Sequence, residues 1–151
     1  MELVLRPVGF VRSGVTEKRD SGWGGVDAEI VLEAAFTGGL KGLEAFSHAI
    51  VVYYLHEAAF CAERHLVRRP RGRADMPLLG VFAQRVKDRP NPVGITAVEI
   101  TGVSADRLAV RGLDAIDGTP VLDIKPYFPA YDCRGNAVVP DWVHRLMEDY
   151  F

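Results

Sequence analysis

A mainly β fold, a small antiparallel β-barrel or strongly curved sheet with a short helix and a C-terminal helix packed on it, is what this sequence predicts. Seven or so short segments alternate in the period of a strand and are separated by short turns. Gly94–Val103 and Arg107–Leu113 read as a hairpin about Ser104-Ala105-Asp106, and only one stretch, near residue 150, carries a convincing helical stripe. No Gly-x-Gly-x-x-Gly lies between a strand and a helix, so a Rossmann-type nucleotide site is excluded. At 151 residues the chain has the size of one domain with one core. That domain spans 1–151, with the barrel at about residues 3–127 and the last helix at about 140–150.

Taken in order, Glu2–Arg12 reads as a first strand interrupted at Pro7, which cannot donate to a ladder. Ser13–Gly25 is a polar loop ending in Gly22-Trp23-Gly24-Gly25. Its glycines allow a close backbone approach, and the indole either covers a flat ring or tucks into the core. Asp27–Glu33 alternates as a second strand, and Thr37–Phe46 reads as a short helix weakened by Gly38, Gly39 and Gly42. Ser47–Glu57, rich in Val, Ile and Tyr, is the strongest strand, and period 2 places His48, Ile50, Val52, Tyr54 and His56 on one face. His48 fits a hydrogen-bonded structural role, whereas His56 stands at a strand end, where ligand-binding groups often sit. Leu78–Gln84 reads as a further strand. Pro140–Phe151 reads as a helix with Pro140 near its start, and Trp142, Val143, Leu146, Met147 and Tyr150 form a docking stripe for this domain or for a partner subunit.

Three stretches carry chemistry. Leu113–Tyr127 combines a tight Asp117-Gly118 turn with a strand over Val121–Lys125, on which Asp123 and Lys125 stand about 6.6 Å apart, close enough for a surface ion pair or a shared ligand. Arg64–Arg73 holds five arginines, Arg64, Arg68, Arg69, Arg71 and Arg73, with Pro70 and Gly72 opposing regular structure. Such a loop suits phosphate neutralisation, or it pairs with surface carboxylates. In Arg85–Pro92 two prolines stiffen the backbone around Asn91, so the planar donors of Arg85 and Arg89 are held on a rigid support fit to grip a carboxylate or phosphate.

Composition narrows the field. Hydrophobic content of 48% with 25% charged residues suits a globular chain, and a formal charge of -2 confines any nucleic-acid binding to a local patch. No apolar run approaches a transmembrane length and no secretory leader pattern opens the chain, which points to a cytoplasmic protein. Cys61 and Cys133 form no CxxC and read as reduced thiols, buried or half-buried; the histidines lack a third ligand at metal spacing, so no metal is expected.

The segments SHAIVVYYLH at 47–56, GVFAQRVKDRPNPVGIT at 80–96 and LDAIDGTPVLDIKPY at 113–127 resemble the TsaA-like, or TrmO-type, methyltransferases, with the likeness running from about Pro7 to Tyr127. The resemblance implies a small non-Rossmann barrel that binds S-adenosyl-L-methionine, forms a homodimer and methylates threonylcarbamoyladenosine beside the tRNA anticodon. Residue by residue, it implies cofactor contacts at Trp23, Gly24, Gly25 and Val26, at His56 and Glu57, at Arg85, and at Ile116, Asp117, Gly118 and Thr119. Arg89 and Asn91 fall in the family's Arg-Pro-Asn signature and, with Asp117 and Tyr127, are its implied catalytic residues. The arginine loop is the implied RNA contact. Asp117, His56 and Tyr127 all remain open as the proton acceptor. In one departure, Asp20-Ser21-Gly22-Trp23-Gly24-Gly25 replaces the family's Pro-x-Gln-x-Gly loop. A paralogous methyltransferase on another RNA or small molecule, and a non-catalytic module binding the cofactor or RNA, are the alternatives.

Overall fold

The computed structural model describes residues 1–151. Its strands are β1 (Gly9–Ser13), β2 (Asp27–Leu32), β3 (His48–Tyr54), β4 (Val67–Arg68), β5 (Leu79–Gly80), β6 (Val93–Val103), β7 (Arg107–Arg111) and β8 (Pro120–Pro126). Three short helices are α1 (Ala62–His65), α2 (Pro129–Asp132) and α3 (Asp141–Met147). Six strands close a barrel in the order β1-β2-β7-β6-β3-β8, with every neighbouring pair antiparallel. The β4–β5 ribbon stands outside it.

Alternation drives the closure. Val11, Ala28, Ile30, Ala49, Val51, Val98, Leu108, Val110 and Val121 point inward and are buried, so small and branched side chains fill the lumen. The hairpin expected at Ser104–Asp106 joins β6 to β7, with the Ser104 amide donating to the Arg107 carbonyl at 2.9 Å. No helix is long and apolar enough to cross a membrane, and no cluster of three or more His, Cys, Asp or Glu side chains could hold a metal ion. Both cysteines are free, Cys61 half-buried and Cys133 exposed.

Several segments differ from their sequence reading for identifiable reasons. The first strand starts at Gly9 rather than Glu2, because the ladder to β2 begins with Gly9 against Leu32, and Leu3, Val4 and Leu5 are left exposed. Residues 37–46 form no α-helix: Gly38 and Gly42 adopt positive φ (89° and 93°), and only 3-10 turns at Ala34–Phe36 and Leu43–Ala45 flank them. Over 78–84 only Leu79–Gly80 pairs, and Val81–Ala83 coils into a 3-10 turn that buries Val81 and exposes Phe82.

Strand β3 buries the face opposite to the histidines, namely Ala49, Val51 and Tyr53, and His48 is exposed, bonded to the Ser47 hydroxyl at 2.8 Å. On β8 strict alternation would put Val121, Asp123 and Lys125 on one face, but a bulge breaks it. Tyr53 pairs with Val121 but Val52 pairs with Asp123, so Leu122 is the extra residue; Val121 turns into the core while Asp123 and Lys125 turn outward. The latter two form a surface ion pair at 2.5 Å.

Candidate functional site

One end of the barrel opens into a cleft of about 950 Å³, where β3 ends and β6 begins. Its walls come from the segments after β3, after β5 and after β7, and α3 with the residues that follow it closes one side. Antiparallel pairing places Tyr54 against Val93, and the Leu55 amide donates to the Pro92 carbonyl at 2.8 Å, so the loops carrying His56 and Asn91 are tied to one rim.

The polar centre is Asp114. Buried Leu113 and Ala115 flank it and fix its direction. Its Oδ1 accepts from the Tyr53 hydroxyl at 2.8 Å and from the Thr96 hydroxyl, and its Oδ2 accepts from the Tyr150 hydroxyl at 2.5 Å. Burial, and then the negative charge of Asp114, push both phenols well above their usual range, so Tyr53 and Tyr150 are neutral donors. The Tyr53 ring lies over Gly94, where an added Cβ would come within 2.4 Å of it; glycine is needed there for the close approach.

Around this centre the cleft is basic. Seven of its lining residues are Lys or Arg and three are Asp or Glu, whereas eleven basic and seventeen acidic side chains lie elsewhere on the chain. The net charge of -2 therefore hides a local concentration of positive charge.

The cleft brings together Trp23, His56, Glu57, Arg85, Arg89, Asn91, Ile116 and Thr119 from the sequence-derived set, together with Arg68 and Arg71 of the arginine loop. Arg85 donates to the Ile95 carbonyl at 2.8 Å and Arg89 to the Gln84 carbonyl at 3.2 Å, which holds both guanidinium planes against the rim. Glu57 pairs with Lys18 at 3.1 Å. Of the two readings of Trp23, burial prevails: it is 3% exposed, its indole N–H donates to the Arg19 carbonyl, and the Arg19 guanidinium lies 4.7 Å above its ring.

Other members of the set lie outside the cleft lining. Gly24 makes a close approach, but to the chain itself: a Cβ there would sit 2.6 Å from the Phe151 backbone. Val26 is held in a turn, its amide donating to the Trp23 carbonyl and its carbonyl accepting from the Gly112 amide, and next to it Gly25 faces open space. Asp117 accepts from the Ser13 amide at 3.0 Å, and the Gly118 amide donates to the Val11 carbonyl, so this turn binds β1 to β8. Tyr127 pairs with the His48 end of β3, a strand length of about 20 Å from the Tyr54 end. In the arginine loop, Arg69 is committed to the Met76 carbonyl, Arg73 grips Asp75 through two bonds of 3.0 and 2.7 Å, and Arg64 stands exposed on α1.

Sequence reasoning missed Tyr53, Thr96, Asp114 and Tyr150. Asp114 had one available signal, a lone acid between two apolar residues directly after a strand. Tyr53 and Thr96 became legible only once pairing had set which face is inside, and Tyr150, read as part of a docking stripe, only once the segment after α3 folded over the cleft.

A closed six-stranded antiparallel barrel with a basic, loop-walled cleft at one end defines a class of non-Rossmann ligand-binding domain. The family model of the tRNA-methyltransferase O N-terminal domain matches residues 17–133, and the chain belongs to that family. A probable S-adenosyl-L-methionine-binding protein of Methanothermobacter thermautotrophicus is 43% identical over 140 residues, covering 89% of this chain and 97% of that protein. The tRNA (adenine(37)-N6)-methyltransferase of Escherichia coli is 42% identical over 104 residues, covering 65% of this chain and 43% of that protein. The crystal structure of TrmO from Pseudomonas aeruginosa superposes with a TM-score of 0.76 at 33% identity over 91% of this chain; the chain spans 61% of that structure's length.

Proposed function

We propose that this protein is an S-adenosyl-L-methionine-dependent methyltransferase acting on an adenosine nitrogen of tRNA, with threonylcarbamoyladenosine beside the anticodon as the preferred acceptor. The observation that carries this reading is the convergence of His56 and Glu57, of Arg85, Arg89 and Asn91, and of Ile116 and Thr119, which are distant in sequence, on one basic cleft. The residues present fit the cofactor. Arg85 and Arg89 supply planar donors for its carboxylate, Asp114 an acceptor for a ribose hydroxyl, and Ile116, Leu55 and Val93 apolar cover for its flat and sulfonium parts. When bound, the cofactor supplies an electrophilic methyl group.

The protein's own residues act mainly by positioning. The rim arginines and Asn91 orient the reactants, the apolar wall excludes water, and His56, exposed at the end of β3, can accept the proton lost by the acceptor nitrogen. In this reading Asp117 acts on the site through the turn it pins. Tyr127 reaches a cleft only across the homodimer that the family resemblance implies, and full activity in a solution monomer would remove it from the chemistry. Arg68 and Arg71 take RNA phosphates at the cleft mouth.

The decisive assay follows labelled methyl transfer from S-adenosylmethionine to tRNA pools with and without threonylcarbamoyladenosine. Transfer confined to the modified pool supports the proposal. Equal transfer to both moves the acceptor elsewhere in tRNA, and saturable cofactor binding with no transfer to any tRNA favours a binding module.

A further inference from the structure

We propose that Asp114 Oδ2 is a ribose-hydroxyl site, and that the Tyr150 phenol holds it until a nucleoside ligand takes it over, so that residues 148–151 form a displaceable plug. The inference rests on the reading of the cleft as a nucleoside-binding site and adds to it a residue role and an exchange step.

The two oxygens of Asp114 differ in what serves them. Oδ1 is taken by Tyr53 and Thr96, both on barrel strands that pair over seven consecutive positions and have no freedom to leave. Oδ2 receives one donor only, and that donor comes from outside the barrel. A carboxylate oxygen accepts about two hydrogen bonds, so Oδ2 of this cleft-lining residue keeps one unused acceptor site as well as an exchangeable partner.

The segment that carries Tyr150 is lightly held. No residue of α3 is buried. Beyond it, two backbone bonds anchor the chain, from the Gly22 amide to the Asp149 carbonyl at 2.9 Å and from the Trp23 amide to the Tyr150 carbonyl at 2.8 Å. Both anchors lie in an irregular loop, and such poorly buried, non-strand contacts belong to the part of a structure that opens most readily.

Tyr150 also presents what a nucleoside presents. Its flat ring lies 5.6 Å beneath the Arg71 guanidinium and its neutral hydroxyl donates to Asp114. A nucleoside offers a base plane for the same cation and a ribose hydroxyl for the same carboxylate. Exchanging one neutral hydroxyl for another leaves the Oδ1 bonds to Tyr53 and Thr96 unchanged, so the swap leaves no oxygen of Asp114 without a donor.

The test uses the full chain with Tyr150→Phe, which keeps the ring and deletes only the competing hydroxyl. Calorimetry with S-adenosylhomocysteine should show the variant binding about tenfold tighter than the wild type, while the 2′,3′-dideoxyribose counterpart of that probe gains nothing. If the hydroxyl comes from the tRNA nucleotide instead, S-adenosylhomocysteine affinity stays fixed and KM for tRNA falls by a similar factor, which also supports the plug. Weaker binding in Tyr150→Phe, an equal gain for both probes, or no change in either arm overturns it. Failure of both proteins to bind S-adenosylhomocysteine sinks the cofactor reading and the plug with it, whereas binding left unaltered in both arms sinks the plug alone.

Discussion

Asp114 and Asp117 stand three residues apart on the connection between β7 and β8, with the same side-chain chemistry and opposite employment. Asp114 faces the cleft and gathers three hydroxyls from β3, β6 and the segment after α3. Asp117 faces away, takes the Ser13 amide and locks the turn that closes the barrel between β1 and β8. The first arrangement is poised for exchange with a ligand and the second for permanence. What separates them is the course of the chain: Leu113, Ala115 and Ile116 go inward, and after Ile116 the chain turns back at Gly118 with φ of 77°. A polar residue's role here is set by the direction its neighbours force on it.

The comparison breaks most visibly under alanine substitution. Asp114→Ala should cost about 2–3 kcal/mol in urea unfolding, because the inward hydroxyls of Tyr53 and Thr96 lose their acceptor, and should weaken S-adenosylhomocysteine binding about a hundredfold in calorimetry. Asp117→Ala should cost about 1 kcal/mol, the net value of one hydrogen bond, with affinity changed only about threefold. Equal losses of affinity would erase the distinction between the two aspartates.

Gly94→Ala sharpens the cleft side by pushing a Cβ into the Tyr53 ring that serves Asp114. A loss of about 1–3 kcal/mol is expected, together with weaker ligand binding, and normal stability would show that the ring is free to move. The arginine loop offers the same contrast at smaller scale. Arg71→Ala, at the cleft mouth, should flatten the log–log salt dependence of tRNA binding by about one unit, whereas Arg73→Ala, whose guanidinium is committed to Asp75, should leave the slope alone.

The smallest effect concerns Asp88, which ties the 85–92 loop to Arg68 and to the Ala59 amide. Burial raises its pKa, but the Lys87 ammonium, the Ala59 amide and Arg68 together outweigh burial and hold the carboxyl below its usual range. A depressed folded value means stability that is present above the ordinary aspartate pKa and lost as pH falls through the folded one. Thermal melts should therefore show the wild type losing more stability than Asp88→Asn on acidification below about pH 4. Parallel curves would dismiss the anchor.

Much of the architecture was legible in the chain. Period-2 alternation located β2, β3, β6, β7 and β8, the 104–106 hairpin held, and of the helix read over Pro140–Phe151 the part Asp141–Met147 formed, with Tyr150 beyond its end. Illegible features were those fixed by partners. The bulge at Leu122 depends on how β8 meets β3, and the left-handed glycines at 38 and 42 left a single 3-10 turn, Leu43–Ala45, where a helix over 37–46 was expected. At the site, Arg89 and Asn91 of the Arg-Pro-Asn segment and His56, two residues past the end of β3, line one cleft. Gly24 was read as making room for another group, and the group it admits is the backbone of Phe151.

By itself the sequence determined a mostly antiparallel barrel or strongly curved sheet, since alternation and short turns call for strands with one buried face, and it determined which loops carry positive charge. Tertiary structure alone decided which of those charges face a common cleft and which are neutralised by neighbours such as Asp75. It also decided that Asp114 rather than Asp117 is the acceptor at its centre. Closure of the barrel sets the direction of every side chain at its rim, and that direction depends on pairings between strands tens of residues apart.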